Sequence, residues 1–287
     1  MIRTWLELTK PRITAMILFS TGIGFCFGLP HGARVVNEIA RLVNTLIGTG
    51  LLASGTAALN QWYERAPDAR MRRTAGRPIP SGRVSPASAF AFGAGVSTIG
   101  FAQLALAVNL LSASLGLLTL LTYLLLYTPL KQRSSICTTV GAIPGAMPPV
   151  IGFAAAHGAL TRGAWALGAI LFLWQFPHFY AIARIYSEDY ARAGIRMLPV
   201  VAPDCRSTNR RMVLFALALI PVSLIPSRLG MTGSLYAVGA VGLGAWYLVS
   251  TLRAFTGSSQ AQARRVLLTS VAYLPLLCFL MLADRTA

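Results

Sequence analysis

The sequence predicts an all-α, polytopic membrane protein built as one bundle of nine transmembrane helices. Three observations carry that expectation. Of the 287 residues, 55% are hydrophobic and only 11% are charged, where a soluble domain carries about 25% charged residues. Mean hydropathy is +0.62. The apolar residues fall in continuous runs of roughly 20, the length that crosses a hydrocarbon core as a helix. Lipid supplies no hydrogen-bond partners, so only helices or closed barrels span it, and unbroken runs select helices over alternating strands.

The runs are read in order as spans over 13–29, 38–60, 86–107, 110–129, 137–156, 163–186, 211–227, 231–252 and 265–283. The first follows "MIRTWLELTKPRI" almost directly. The second ends in the charged stretch "NQWYERAPDARMRRTAGRPIPSGR", and the fourth in "YTPLKQR". The fifth is rich in Gly and Pro, the sixth in aromatic residues, and the last three are plain apolar runs. All nine are taken as a single membrane domain covering 1–287, since no connection is long enough to fold alone.

Charge alternates along the chain. The N-terminus and the connections after spans 2, 4, 6 and 8, with their flanks, hold 20 of the 25 Lys and Arg. The other side holds only Arg34, Arg41, Arg162, Arg228 and Arg285. The positive-inside rule therefore places the N-terminus and the segments 61–85, 130–136, 187–210 and 253–264 in the cytoplasm, and the C-terminus outside. Topology thus accounts for most of the +17 formal charge, and no nucleic-acid partner is expected. No cleavable signal or transit peptide is read before the first span, which favours a bacterial inner membrane. Four cysteines and three histidines (His31, His157, His178) are scattered without a CxxC pair, so neither a disulfide framework nor a structural zinc site is expected.

Carboxylates contribute little to orientation, yet four of the eight, Glu64, Asp68, Glu188 and Asp189, lie in two cytoplasmic connections. Asn60, Glu64 and Asp68 are spaced by four, which places them along one helix face at the end of span 2. Like charges at that spacing repel, a cost that makes sense if a cation sits between them. Mg²⁺ suits such a set, because it takes one or two carboxylates together with substrate phosphates. Pro67 opposes a regular turn, so the three are not expected to share one unbroken helix. Arg72, Arg73, Arg77 and Arg83 follow with guanidinium forks that match phosphate oxygens. The competing reading is a solvated loop in which Asp68 pairs with Arg72.

Tyr127 and Lys131, also four apart, end span 4 at the same surface. They suit a phosphate, or equally an interfacial aromatic beside a snorkelling lysine. In "TTVGAIPGAMPPVIG" the glycines allow close approach of another backbone, and the prolines suggest a distorted segment lining a cavity. In span 6, His178 stands in an apolar run with Trp174, Phe176, Phe179 and Tyr180. It reads as a hydrogen-bonded core residue, an iron ligand or a base, and its aromatic neighbours as walls for a flat ligand. Arg184 and Glu188 are spaced to pair, and Asp189 has no evident partner.

Taken in order, "LTKPRI", "NQWYERAPDARMRRTAGRPIPSGRVSP", "YTPLK", "GAIPGAMPPVIG" and "FPHFYAIARIYSEDYARAGIRMLPV" resemble the UbiA-type intramembrane prenyltransferases, and within them the haem-modifying branch. The superfamily's NxxxDxxxD motif stands here as Asn60, Glu64 and Asp68, and its YxxxK element as Tyr127 and Lys131. Its second DxxxD motif is absent, replaced by "PHF" and "SEDY". The resemblance implies a nine-helix UbiA-like bundle whose active site opens to the cytoplasm and the lipid. It implies farnesyl transfer from farnesyl diphosphate to haem b, with haem as substrate and Mg²⁺ as cofactor. Asn60, Glu64 and Asp68 would hold the metal, with Glu188 and Asp189 as open additions. Arg73, Arg77, Tyr127 and Lys131 would surround the diphosphate, and His178 would meet the haem. Asn60, Glu64, Asp68, Lys131 and His178 form the catalytic set so implied, and membrane lipid and a downstream haem-modifying enzyme are the expected partners. Prenylation of an aromatic quinone precursor is the alternative within the enzyme class. A transporter or lipid-binding protein is the alternative outside it, though carboxylates gathered at one surface favour interfacial chemistry on a phosphorylated lipid.

Overall fold

The computed structural model describes residues 2–30, 32–256 and 259–286. His31, and residues 257 and 258 of the last segment assigned to the cytoplasm, lie outside the described residues. The described chain is helical, with one isolated antiparallel bridge between Thr232 and Arg285. Among the described residues, nine helices are long and apolar enough to cross a membrane: α1 (Pro11–Gly28), α2 (Val35–Tyr63), α3 (Pro86–Ala107), α4 (Leu110–Leu130), α5 (Cys137–His157), α6 (Arg162–Ile185), α7 (Arg206–Arg228), α8 (Ser234–Phe255) and α9 (Gln260–Ala283).

Several helices overrun the apolar runs that announced them. Helix α2 continues to Tyr63, α7 begins at Arg206 and α9 at Gln260. Hydropathy marks the hydrocarbon core, whereas helix ends are set by caps and backbone chemistry. Ser259 illustrates this: its side chain accepts from the Gln262 N–H and starts α9 well outside the apolar run. Ser85 and Asn109 cap α3 and α4 in the same way. Pro11 opens α1, where the missing N–H costs nothing.

The centre of the bundle is α5 and α6, whose most apolar windows are 72% and 61% buried, against 44% or less elsewhere. Helix α5 packs on α1, α4 and α6, and α6 packs on α7 and α9, with α2 against α3 and α8 against α7 and α9 completing the outer layer. The α1–α5 contact depends on glycine. A Cβ on Gly24 would lie 2.0 Å from the Pro149 carbonyl oxygen, and one on Gly152 only 1.9 Å from that of Thr21. Backbone therefore meets backbone, the small-residue packing typical of membrane helices.

The proline-rich segment is helical throughout. Pro144, Pro148 and Pro149 sit inside one continuous helix at the most buried position in the bundle. Neighbours donate to carbonyls along its length: Gln175 Nε2 to Ala142 (2.7 Å) and Asn109 Nδ2 to Ala154 (3.0 Å). These bonds reach carbonyls other than those of Val140, Pro144 and Gly145, the three that the prolines leave without an intrahelical N–H.

Candidate active site

The N-terminus and the connections after α2, α4 and α6 meet at one end of the bundle, and the polar cluster forms there. Asn60 lies in the last turn of α2, and the helix breaks at Glu64 (φ −87°, ψ 11°) before resuming over Arg65–Arg70. Pro67 has no N–H to offer Tyr63, which explains a break at this point. The four-residue rhythm survives it, since Glu64 N–H donates to Asn60 O (2.9 Å) and Asp68 N–H to Glu64 O (2.8 Å). Asn60, Glu64 and Asp68 are all buried, at 1%, 8% and 1% exposure.

Helix α4 reaches the cluster through an irregular turn. Residues Thr122–Tyr127 are π-helical, and the Thr128 N–H and hydroxyl both donate to Tyr123 O. Pro129 withholds the next N–H, and a wider turn is one way to absorb that loss. Thr128 Oγ1 comes within 3.4 Å of Asn60 Nδ2, and Lys131 Nζ lies 2.8 Å from Glu64 Oε1. The Lys131 ammonium rests over the Tyr127 ring, 4.4 Å from its centroid. Tyr127 therefore presents its ring face to the lysine, while Gly141 leaves room for its edge on the other side.

Two further cations complete the cluster. Arg77 Nη1 donates to Asp68 Oδ2 (2.6 Å), whereas Asp68 Oδ1 is buried and has no partner. The chain turns after Arg70, so Arg77 and not Arg72 reaches Asp68. Lys10 donates from Nζ to Asn60 Oδ1 (2.9 Å). Lys10 carried no assignment in the sequence beyond its place in "LTKPRI"; its only further mark is the left-handed backbone (φ 49°) that turns it inward before Pro11. Thr128 was likewise missed. Burial, then the Arg77 charge, pushes the Lys10 pKa down to about 7. Burial alone would raise the Glu64 pKa, but Lys131 outweighs it and holds the carboxyl below its ordinary range. The Lys131 ammonium is correspondingly held well above its own value, the Glu64 charge overcoming desolvation.

The remaining expected residues lie around this core. Arg73 stacks on Tyr186 (4.7 Å) and Tyr190 (5.6 Å) and donates to the Tyr190 hydroxyl (3.2 Å), which places it on the α6–α7 connection. Asp189, seemingly partnerless in the sequence, is buried and fully engaged: Oδ1 accepts from Arg72 N–H and Oδ2 from Arg73 N–H, each at 3.3 Å. Arg192 forms an ion pair with the same carboxylate. Burial alone would raise the Asp189 pKa; the Arg73 and Arg72 N–H groups and Arg192 reverse the direction and lower it. Glu188 is exposed. Arg184, spaced to pair with Glu188, is buried and donates to Asn209 Oδ1 instead (2.8 Å).

His178 occupies the seam between α6 and α9. Its Nδ1 lies 2.7 Å from Ser270 Oγ, and its ring stacks on Trp174 at 5.0 Å. None of these partners belongs to the carboxylate cluster. Of its aromatic neighbours, Phe176 is buried against Phe215 of α7 (3.7 Å, 6° between planes) and Tyr180 is buried beside it. Trp174 and Phe179 are the less buried of the four.

Two carboxylates and an amide oxygen, ringed by Lys10, Arg77 and Lys131, suit a metal-bound polyanion. Among the described residues no group of three His, Cys, Asp or Glu could hold a metal, so such an ion would need oxygen ligands from its anion. The unpartnered, buried Asp68 Oδ1 would be one ligand from the protein's side.

Comparison with known proteins agrees with this geometry. The UbiA prenyltransferase family matches residues 17–277. The chain is 62% identical to the protoheme IX farnesyltransferase of Solibacter usitatus (strain Ellin6076), across 99% of both chains. It is 46% identical to that of Koribacter versatilis (strain Ellin345), across 100% of this chain and 94% of that one. A UbiA homolog from Aeropyrum pernix K1 superposes with a TM-score of 0.72 at 19% identity, over 94% and 97% of the two chains. One from Archaeoglobus fulgidus, bound to GPP and Mg²⁺, gives a TM-score of 0.61 at 17% identity, over 97% and 99%. The chain belongs to the UbiA prenyltransferase family, within which it groups with the protoheme IX farnesyltransferases.

Proposed function

We propose that this protein transfers the farnesyl group of farnesyl diphosphate to the 2-vinyl group of haem b, acting as a single membrane-embedded domain of a bacterial inner membrane. The observation that carries this reading is the buried cluster of Asn60, Glu64 and Asp68 within reach of Lys10, Arg77 and Lys131, in a chain so similar to protoheme IX farnesyltransferases.

Asn60, Glu64 and Asp68 would hold Mg²⁺, which would neutralise charge on a diphosphate and make it a better leaving group. Lys10, Arg77 and Lys131, now spent on the cluster's own oxygens, are placed to turn to phosphate oxygens when the anion arrives. Their charges stabilise the diphosphate as the allylic C–O bond breaks. The vinyl π electrons form the new C–C bond to the farnesyl carbon, and water adds to the resulting haem-side cation, losing a proton to give a hydroxyl. The apolar bundle keeps water from the allylic cation until the vinyl group has reacted. His178, with Trp174 and Phe179, would orient the porphyrin at the α6–α9 seam. The product then passes to a downstream haem-modifying enzyme.

Mass spectrometry of haem extracted from membranes with and without the protein tests the activity. A hydroxyethylfarnesyl haem that depends on the protein is expected, and its absence with both substrates supplied would end the proposal. His178→Ala should weaken haem binding several-fold, about 1 kcal/mol, with binding of a farnesyl diphosphate analogue unchanged. Equal loss of both ligands would count against a haem role.

A further inference from the structure

The α6–α7 connection carries the two carboxylates left open as additional metal ligands. The geometry points to a different task for one of them: we propose that Asp189 is a positioning residue, anchoring residues 71–83 so that Arg77 is held over the Asn60–Glu64–Asp68 cluster. This assignment takes the diphosphate reading of the site as its setting.

Both oxygens of Asp189 are already spent. They accept from the consecutive N–H groups of Arg72 and Arg73, and Arg192 pairs with Oδ1. A carboxylate gripping two adjacent backbone donors fixes the local direction of the chain. Asp68 makes the contrast, since one of its buried oxygens is unpartnered. The residues around Asp189 reinforce the grip. Met71 is buried in a cluster with Ala183, Tyr190, Ala193 and Ile195, and Arg73 lies across Tyr186 and Tyr190.

From this anchor a short chain of hydrogen bonds leads to the site. Thr74 N–H donates to Met71 O (3.1 Å), Thr74 Oγ1 to Asp68 O (2.8 Å), and Arg77 N–H to Thr74 O (3.0 Å). Arg77 then meets Asp68. The same connection also holds the end of α4, because Arg196 N–H donates to Lys131 O (2.8 Å). The segment that lacks the second DxxxD motif thereby braces two of the cations, and Glu188, exposed beside it, takes no part.

The test uses the full chain in lipid nanodiscs, with Asp189→Asn and, as a milder second variant, Arg192→Gln. Two quantities are read: the rate of trypsin cleavage after Arg70, Arg72 and Arg73, and the affinity for farnesyl thiolodiphosphate, a slow-reacting analogue, as Mg²⁺ is varied. Asp189→Asn should speed cleavage and weaken the analogue by about tenfold each, while the Mg²⁺ concentration for half-maximal binding stays within about twofold. Arg192→Gln should move both in the same direction by less. Unchanged cleavage, or a tenfold rise in the Mg²⁺ requirement, overturns the assignment, the second outcome making Asp189 a metal ligand. Should the unsubstituted protein fail to bind the analogue, the diphosphate reading falls, and the cleavage rates still report on the anchor.

Discussion

Asp68 and Glu64 are close in sequence but unequal in surroundings. Glu64 has both oxygens occupied, by Lys131 and by Asn60, whereas Asp68 keeps one buried oxygen unpartnered. A buried acceptor without a donor is costly, and an incoming cation would remove that cost. Glu64→Gln and Asp68→Asn should each lower turnover by at least about a hundredfold while membrane insertion, followed by fractionation, stays intact. Turnover near that of the unsubstituted protein would refute the metal assignment. Lys10→Met removes a cation but no metal ligand. It should weaken farnesyl diphosphate binding by about tenfold and leave the Mg²⁺ dependence in place, as titration calorimetry at several Mg²⁺ concentrations would show. The spacing of Asn60, Glu64 and Asp68 could be read from the sequence because it is local. Lys10 and Arg77 could not be assigned their partners, since Lys10 meets Asn60 across fifty positions, and Arg77 meets Asp68 only after a turn that Pro67 and the Asp189 anchor set. Asp189 itself looked solitary because two of its donors are the backbone N–H groups of Arg72 and Arg73, which leave no mark in a side-chain pattern; the third, Arg192 at i, i+3, was legible and went unread.

At the scale of elements, composition identified the spans, and α5 shows what it left open. Three prolines in six residues suggested a distorted segment lining a cavity; the segment is one continuous helix, with Asn109 and Gln175 donating to its Ala154 and Ala142 carbonyls. Sequence shows where proline removes a donor, but not the path the chain takes through it. The π-turn in α4 ends just before Pro129, its mark in the sequence. The glycines were read correctly as places of close approach, and they yield the sharpest stability expectation. A methyl group on Gly152 would meet the Thr21 carbonyl at 1.9 Å, with backbone on both sides and nothing flexible to yield. Gly152→Ala should therefore cost about 1–3 kcal/mol or more and lower the thermal denaturation midpoint in detergent. Gly22→Ala, where an added methyl meets nothing within 4 Å, is the control, and equal midpoints for the two would contradict the α1–α5 packing described.

At the scale of the whole molecule, the uneven distribution of Lys and Arg and the position of the polar cluster point the same way. The N-terminus and the connections after α2, α4, α6 and α8, with their flanks, carry 20 of 25 basic residues, and all of these but the last meet around Asn60, Glu64 and Asp68. We propose that this end faces the cytoplasm. The positive-inside rule is blind to the site, and the site's geometry is blind to the membrane, so their agreement is a constraint neither supplies alone. Cys205 offers a direct test without engineering. It precedes α7 in the connection after α6 and is partly exposed, while Cys137 and Cys278 are buried and Cys26 lies inside α1. A membrane-impermeant maleimide should label Cys205 in inverted vesicles and spare it in right-side-out ones, with Cys205→Ser removing the signal. Labelling from the outer face would invert the bundle. It would also place the cluster's cations on the side away from the cytoplasm, against the charge rule that orients every one of the nine spans.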